Sequence, residues 1–209
     1  MKYIDLSRSF DVDVSGFNKS VAKNYHTDGW NASTLSFYSH AGTHMDAPIH
    51  FEASQETIDQ YPIERFIVKR CWIVDVDIKN RSQLIGIDDI KQELIGFVPG
   101  DSILLKTGWS LKFGTDAYRN GLPRISKDLA HWLVSLKVNI LGVEPPSVAD
   151  VNNLKEVDEI HKILLDKIII LEGLVNLEKL ESKLIELIAL PLKIAAGDGC
   201  PCRVIGIEN

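Results

Sequence analysis

Short apolar runs separated by polar breaks recur along the chain, and their spacing predicts its secondary structure. Continuous or alternating apolar residues are typical of strands, whereas apolar residues three and four positions apart are typical of helices. We predict eight strands, at residues 2–6, 34–38, 66–76, 102–106, 139–143, 167–171, 184–190 and 203–207. We predict three helices, at residues 87–94, 126–136 and 157–165, the second with Ser126 as its N-cap.

The order of these elements predicts a mixed α/β fold. The first third of the chain is poor in helix, and the later part alternates strands with helices. A chain of 209 residues is long enough for one domain with a substantial core. Because no linker, repeat or low-complexity tract interrupts the pattern, we expect a single domain spanning residues 1–209.

The net charge and the lengths of the apolar segments argue against two classes of binding partner, nucleic acids and membranes. A net charge of −6 without a basic stripe argues against nucleic acid. No apolar stretch approaches the roughly 18 residues of a membrane span, and the first residues lack the apolar segment of a signal peptide. We therefore expect a cytoplasmic protein without a membrane partner. The three cysteines are odd in number and fit reduced thiols in that compartment.

Three of the six histidines lie within eleven residues, with an aspartate among them. The spacing is His40-x3-His44-x-Asp46-x3-His50. Imidazole nitrogen and carboxylate oxygen are ligands that Zn²⁺, Mn²⁺ and Fe²⁺ share. His44 and Asp46 are two residues apart, so they project to one side of a short extended segment. The cluster predicts one wall of a metal site that keeps room for a water, since an ordinary core does not concentrate such residues.

This segment must bend if its histidines share an ion. On a straight strand, His40 and His50 would lie about 33 Å apart, at about 3.3 Å per residue. Gly42 and Pro48 are the positions where the backbone can bend, and both disfavour a regular helix. We expect His40 to return toward the other ligands across a turn at Gly42, with the Thr43 hydroxyl fixing that turn.

A second histidine and a second carboxylate are placed to join the site from further along the chain. Residues 156–166 read as a helix that carries His161. Glu172 follows the continuous apolar run 168–171, which is typical of a buried strand, and ligands favour that carboxyl end. A buried carboxylate needs a partner, and a metal would be one. The alternatives are a solvated strand end for Glu172 and an exposed helix histidine for His161.

The residues of this cluster carry a family resemblance. The run His-x-Gly-Thr-His-x-Asp-x-Pro-x-His-Phe at residues 40–51 resembles the signature of the cyclase-like metal-dependent hydrolases, which include bacterial kynurenine formamidase and isatin hydrolase. Asp5-Leu6-Ser7 is similar to the opening of that family, residues 105–109 to its central strand and turn, and residues 198–205 to its closing Asp-Gly-x-Pro-x-Arg segment. The resemblance covers nearly the whole chain. It implies a mixed-sheet, swivelling β/β/α fold and a homo-oligomer, either a dimer or a tetramer.

The resemblance also implies a role for each site residue. It assigns five metal ligands: His40, His44, Asp46, His161 and Glu172. Asp46 and Glu172 are the candidate bridges between two ions. His50 becomes the catalytic acid and base, with a fourth metal ligand or a structural contact as its alternatives. The cofactor is a divalent metal, Zn²⁺ before Mn²⁺, at one or two ions per chain, because His/Asp/Glu ligation suits both elements.

These assignments predict a hydrolase that cleaves a C–N amide bond with a metal-activated water. A divalent ion can lower the pKa of a water to about 7 and polarise a carbonyl, and histidine suits the proton transfer. The resemblance implies an arylformamidase acting on a small molecule of the N-formylkynurenine type. One alternative is a related enzyme acting on a cyclic amide, a lactone or a polyketide-like substrate. The other is a non-catalytic, metal-stabilised binding protein. No Gly-x-Ser-x-Gly elbow or phosphate loop competes with the metal site.

The sequence says less about the substrate pocket. Four aromatic residues are candidate walls, although each fits an ordinary core position as well: Trp30, Phe37, Phe51 and Trp109. Residues 10–18 contain no proline and depart from the proline-rich segment that many relatives carry there. His26 is a candidate pocket residue in the same region, with an exposed loop position as its alternative. We expect Gly197 and Gly199 to serve a tight turn at the sheet edge.

Overall fold

An eight-stranded mixed sheet organises the protein, whose computed structural model describes residues 1–208. The strands of the described chain are β1 (Lys2–Asp5), β2 (Phe17–Lys23), β3 (Ala32–Phe37), β4 (His44–Asp46), β5 (Ile67–Asp75), β6 (Leu84–Ile85), β7 (Ser102–Lys106), β8 (Arg124–Ile125), β9 (Ile140–Val143), β10 (Ile169–Glu172), β11 (Leu184–Pro191) and β12 (Gly199–Glu208). The α-helices are α1 (Tyr25–Asp28), α2 (Ile87–Ile90), α3 (Asp116–Asn120), α4 (Lys127–Ser135) and α5 (Leu154–Leu165).

The sheet has the order β1-β12-β11-β5-β7-β9-β10-β4. Strands β5, β7, β9 and β10 run parallel to one another, and the remaining pairings in this sheet are antiparallel. Strand β4 pairs with β10 on one edge and with β12 on the other, so the succession of pairings returns to β12 and closes. The short strand β4 is therefore held from both sides, which gives its side chains fixed directions.

Both faces of the parallel strands are buried. Along β10, Ile170 packs into one apolar cluster while Ile169 and Leu171 pack into the other. Helices α4 and α5 cover the face that carries Ile170. Burial on both faces explains why residues 168–171 read as an unbroken apolar run, as parallel strands commonly do. Leu141 on β9 belongs to the cluster of Ile170, so the layer under the two helices is continuous.

The predicted mixed α/β fold is confirmed, and most predicted elements lie where the pattern placed them. Strand β7 spans the predicted residues 102–106, and Ser126 caps α4 by accepting a hydrogen bond from the Leu129 backbone N–H. The predicted helix at residues 87–94 is instead a single α-turn followed by a 3-10 turn. Strand β12 begins at Gly199, four residues before the prediction, because Gly199 and Pro201 weaken the local strand signal.

Strand β2 was not predicted at all. It pairs with β3 as a two-stranded ribbon outside the main sheet, and nearly all of its residues are exposed. A strand without a buried face has no reason to alternate apolar and polar residues, so the pattern contained no signal for it. Cys71, Cys200 and Cys202 are buried free thiols. None of the helices within residues 1–208 is long and apolar enough to cross a membrane.

Candidate metal centre

Strand β4 presents two of the predicted ligands on one face. His44 and Asp46 point to the side of α5, and Met45 between them lies in the apolar cluster on the opposite face. In the antiparallel register of β4 and β10, Glu172 lies opposite His44, and side chains at opposed positions share a face. The Nε2 atom of His44 is therefore 3.3 Å from Oε2 of Glu172. Glu172 is the last residue of β10, at the carboxyl end that the sequence indicated.

His40 returns to this face across the bend at Gly42, whose φ is 63°. Its Nδ1 atom lies 2.8 Å from Oδ1 of Asp46. The expected role of Thr43 in that turn is wrong. Its hydroxyl donates to the Gly173 carbonyl at 2.7 Å, which ties the ligand strand to the loop after β10 rather than fixing the turn locally.

His161 lies on helix α5, which packs on the face of the sheet that carries Ile170. His161 is buried, and its Nδ1 atom lies 2.7 Å from the carbonyl of Val157. The Nδ1 atom of His44 lies 3.1 Å from the carbonyl of Gly42. Because a carbonyl only accepts, each Nδ1 carries the hydrogen and each Nε2 faces the carboxylates. Such a hydrogen bond is the usual device that orients a metal-ligating histidine.

Asp46 faces three histidines, His40 among them, and Glu172 faces two. Oδ1 of Asp46 lies 3.5 Å from Nε2 of His44, and Oδ2 lies 3.8 Å from Nε2 of His161. Oε2 of Glu172 faces His44, while Oε1 lies 3.5 Å from Nε2 of His161. Two sets of donors in this arrangement could each hold a cation: one is His40, Asp46 and His50, and the other is His44, Asp46 and Glu172. Asp46 belongs to both sets, and His161 lies beside the second set, with its Nε2 atom 3.5 Å from Oε1 of Glu172.

The charges at this centre favour positive charge beside its two buried carboxylates. Burial by itself raises the pKa of Asp46, but the neighbouring imidazoles, His40 first, hold that pKa well below its usual range. Burial lowers the pKa of His40, yet Asp46 and Asp198 outweigh it and raise that pKa to about 9. The two buried carboxylates thus depend on positive charge beside them. Nitrogen and carboxylate donors without a thiolate fit Zn²⁺ or Mn²⁺.

His50 lies at the open side of the centre, on a 3-10 turn that begins at Pro48. Its ring stacks on His40 with 3.7 Å between centroids, and its side chain is 22% exposed. Phe51 stacks on His161 at 4.3 Å. A nitrogen of His50 comes close enough to His40 and Asp46 for the three to share one ion. The geometry therefore accommodates both the proton-transfer role and the fourth-ligand role.

Asp198 also belongs to this site, although the sequence reasoning assigned it no role there. Its Oδ2 atom lies 3.1 Å from Nε2 of His40 and 3.8 Å from Nδ1 of His50. The available signal was its place between two glycines in the closing segment that resembles the family. Gly199 opens β12, and a Cβ atom there would lie 2.6 Å from Cε1 of His40. This glycine therefore makes room for the His40 ring as well as beginning a strand.

The candidate pocket walls separate into two groups. Phe51 contacts the centre directly, and Phe37 lines a cavity of about 470 Å³ between the β2–β3 ribbon and β12. Trp109 is buried in a small apolar cluster with Tyr118 and Leu122, and its indole N–H donates to the Tyr118 carbonyl at 3.0 Å. Trp30 is 57% exposed at the ribbon, and His26 is exposed on α1. Within residues 1–208, none of the side chains of Trp30, Trp109 and His26 makes a hydrogen bond or ring contact with a residue of the metal centre.

We expect removal of the metal to lower the thermal stability of the protein. A ligand at 100 times its Kd stabilises the folded state by about 2.7 kcal/mol, and 1 kcal/mol shifts Tm by about 2–4 °C in a chain of this size. Chelation should therefore lower Tm by about 5–10 °C, measured by calorimetry before and after readdition of zinc. The same treatment should leave an Asp46→Asn variant unchanged. A wild-type Tm that does not respond to chelator would contradict metal binding by the folded chain.

The chain is similar to known proteins in both sequence and fold. Residues 4–150 match the family model described as Putative cyclase. The chain is 31% identical over 217 residues to the kynurenine formamidase of Salinibacter ruber, covering 98% of this chain and 97% of that protein. It is 28% identical over 212 residues to the kynurenine formamidase of Bacillus cereus, covering 98% and 96%.

A solved structure shows the shared fold. Isatin hydrolase A from Ralstonia solanacearum superimposes with a TM-score of 0.90 at 22% identity, covering 100% of this chain and 92% of that chain. The mixed α/β fold that the resemblance implied is thereby confirmed. With a family model matched over residues 4–150 and a 31% identical relative aligned along nearly its whole length, the chain belongs to the Putative cyclase family.

Proposed function

We propose that the protein is a metal-dependent hydrolase that cleaves a C–N amide bond, with an aryl formamide of the N-formylkynurenine type as its substrate. One observation carries the proposal. Two buried carboxylates face three imidazoles, and a further histidine, His50, lies on the open side of that cluster. The 31% identical relative named kynurenine formamidase supports the choice of an aryl formamide.

Five residues would hold the ions: His40, His44, Asp46, His161 and Glu172. A divalent ion bound there supplies Lewis-acid chemistry, because it lowers the pKa of a water to about 7 and polarises a carbonyl. The chain contributes rigidity to this arrangement. Strand β4 is hydrogen-bonded on both edges, and α5 is packed onto the sheet, so the ligands need little reorganisation.

His50 would move the proton. As the water oxygen forms its bond to the carbonyl carbon, the imidazole takes the proton that the water loses. The same imidazole then donates that proton to the nitrogen as the C–N bond breaks, so a carboxylic acid and an amine leave. Histidine is suited to both halves because its ordinary pKa is near 6.5. Its exposed edge places it within reach of solvent and substrate.

The partial exposure of His50 also favours a catalytic metal site over a purely structural one. A structural site closes its ligand shell with protein atoms and has no need of a further imidazole at its open side. Phe51, stacked on His161, gives that side an apolar wall against which an aromatic ring can lie. An aryl amide therefore suits the centre better than a strongly polar amide.

The test is hydrolysis of N-formylkynurenine by the metal-loaded protein, with and without chelator, beside a panel containing a cyclic amide and a lactone. We expect turnover of the formamide that disappears with chelator and returns with zinc or manganese. Turnover of the cyclic amide or lactone alone would overturn the formamidase assignment and leave the hydrolase class in place. A protein that binds no metal and hydrolyses none of these compounds would contradict the whole proposal.

A further inference from the structure

The carboxylate of Asp198 faces both stacked histidines of the centre. Its Oδ2 atom accepts a hydrogen bond from Nε2 of His40 at 3.1 Å and lies 3.8 Å from Nδ1 of His50. The Ser39 hydroxyl donates to the same oxygen at 3.3 Å. The two imidazole planes are only 20° apart. One nitrogen of each of the two nearly parallel rings, Nε2 of His40 and Nδ1 of His50, therefore faces Asp198.

This contact determines how the His40 ring is oriented. With Nε2–H donated to Asp198, the other ring nitrogen, Nδ1, is directed at Asp46, 2.8 Å away. A ring rotated by half a turn would point carbon atoms at both carboxylates. Metal-ligating histidines commonly donate their second N–H to a carboxylate, which fixes the ring and the tautomer. Asp198 occupies that place for His40, as the carbonyls of Gly42 and Val157 do for the other two ligand histidines.

The same carboxylate bears on the tautomer of His50. A carboxylate accepts hydrogen bonds and does not donate them, so it favours the form of His50 with hydrogen on Nδ1. The Nε2 atom is then the nitrogen left free to take a proton. The distance of 3.8 Å exceeds a hydrogen bond, but the Asp198 side chain is 48% exposed and has a second oxygen. At this separation the negative charge of the carboxylate favours a hydrogen on Nδ1 without a direct hydrogen bond.

The backbone of Asp198 is fixed to the strand that carries the ligands. Its carbonyl accepts a hydrogen bond from the Ala47 backbone N–H at 3.0 Å, and the next residue, Gly199, pairs with Asp46. The preceding carbonyl, of Gly197, accepts from Ile58 at 2.9 Å. The carboxylate therefore keeps its position relative to His40 even though its own side chain reaches solvent.

We propose that Asp198 is a positioning residue that holds His40 with Nδ1 toward the metal position and holds His50 in the tautomer whose Nε2 is free. The part that concerns His50 rests on the proposed function. The part that concerns His40 stands on the hydrogen bond alone. Asp198 contacts neither substrate nor ion in this role, since it acts through the two imidazoles.

The experiment compares three variants of the full chain loaded with Zn²⁺, a diamagnetic probe. Asp198→Ala removes the acceptor, Asp198→Asn keeps an oxygen of similar reach, and Asp75→Asn is the matched control at a surface acid paired with Lys106. Zinc affinity is measured by competition with a chromophoric chelator. The tautomers of His40 and His50 are read from long-range ¹H–¹⁵N NMR correlations, which require no substrate.

We expect Asp198→Ala to weaken zinc binding about 10- to 100-fold, as loss of a carboxylate partner of a ligand histidine commonly does. The Nδ1–H signature of His50 should shift toward the other tautomer in that variant, with partial retention in Asp198→Asn. The Asp75→Asn control should match the wild type in both readouts. If Asp198→Ala does not fold, Asp198→Asn decides the outcome through the same two measurements.

Wild-type zinc affinity together with an unchanged His50 tautomer in the folded Asp198 variants would overturn this inference. That result would leave the proposed amide hydrolysis intact, because zinc affinity and the His50 tautomer are measured without substrate. Conversely, the wild-type protein could hydrolyse no amide while its zinc affinity still depends on Asp198. In that case the proposed function fails and the inference about Asp198 stands.

Discussion

Asp46→Asn is expected to abolish metal binding and, with it, hydrolysis. Asp46 is in contact with the nitrogen atoms of His40, His44 and His161, and its two oxygens face different imidazoles. The substitution keeps the size of the side chain but replaces one oxygen with an amide nitrogen that cannot ligate. Loss of an indirect partner already costs about 10- to 100-fold in affinity, so loss of this central ligand should exceed about 100-fold. Metal content after gel filtration and chelator competition measure the effect.

Asp101→Asn is the matched control, because Asp101 is a buried carboxylate outside the centre. It is 3% exposed and accepts hydrogen bonds from Trp72 at 2.7 Å and Arg70 at 2.9 Å. We expect this variant to lose stability, since a buried hydrogen-bonded charge is neutralised, while it keeps the metal stoichiometry of the wild type. Retention of full metal content by Asp46→Asn would show that the assigned centre is wrong.

His50→Ala should separate chemistry from metal binding. Loss of a general acid and base typically costs about 10²- to 10⁴-fold in rate, and the His50 ring is partly exposed, so the fold should tolerate the change. We expect kcat to fall by that factor while metal content and Tm stay close to the wild type. Steady-state kinetics on the formamide, with metal analysis of the same sample, tests this.

His131→Ala is the corresponding control, because His131 is an exposed histidine on α4 that contacts no member of the centre. It should retain wild-type kcat. If His50→Ala loses metal in parallel with activity, His50 is a fourth ligand and the proton-transfer assignment fails. A larger variant such as His50→Gln then shows whether the loss follows from the missing nitrogen or from the missing stack on His40.

Local features of the sequence were sufficient for a large part of this fold. Strand β7 was predictable in full, and β10 was predicted at residues 167–171 against the observed Ile169–Glu172, because buried parallel strands require continuous apolar residues. The common face of His44 and Asp46 was predictable from the two-residue period of an extended chain. The ribbon strand β2 was not, since its exposed residues carry no periodic signal.

What the sequence by itself determined is the set of candidate donors: three histidines and an aspartate around a glycine and a proline, a histidine on a predicted helix, and a carboxylate at the end of an apolar run. Tertiary structure decided how those donors meet. The register of β4 between β10 and β12 sets which carboxylate oxygen faces which imidazole, and the β11–β12 turn brings Asp198 to His40 across 158 positions of sequence. Residue types and short spacings are properties of a local segment, whereas strand register and helix packing depend on contacts between distant segments, which no local pattern specifies.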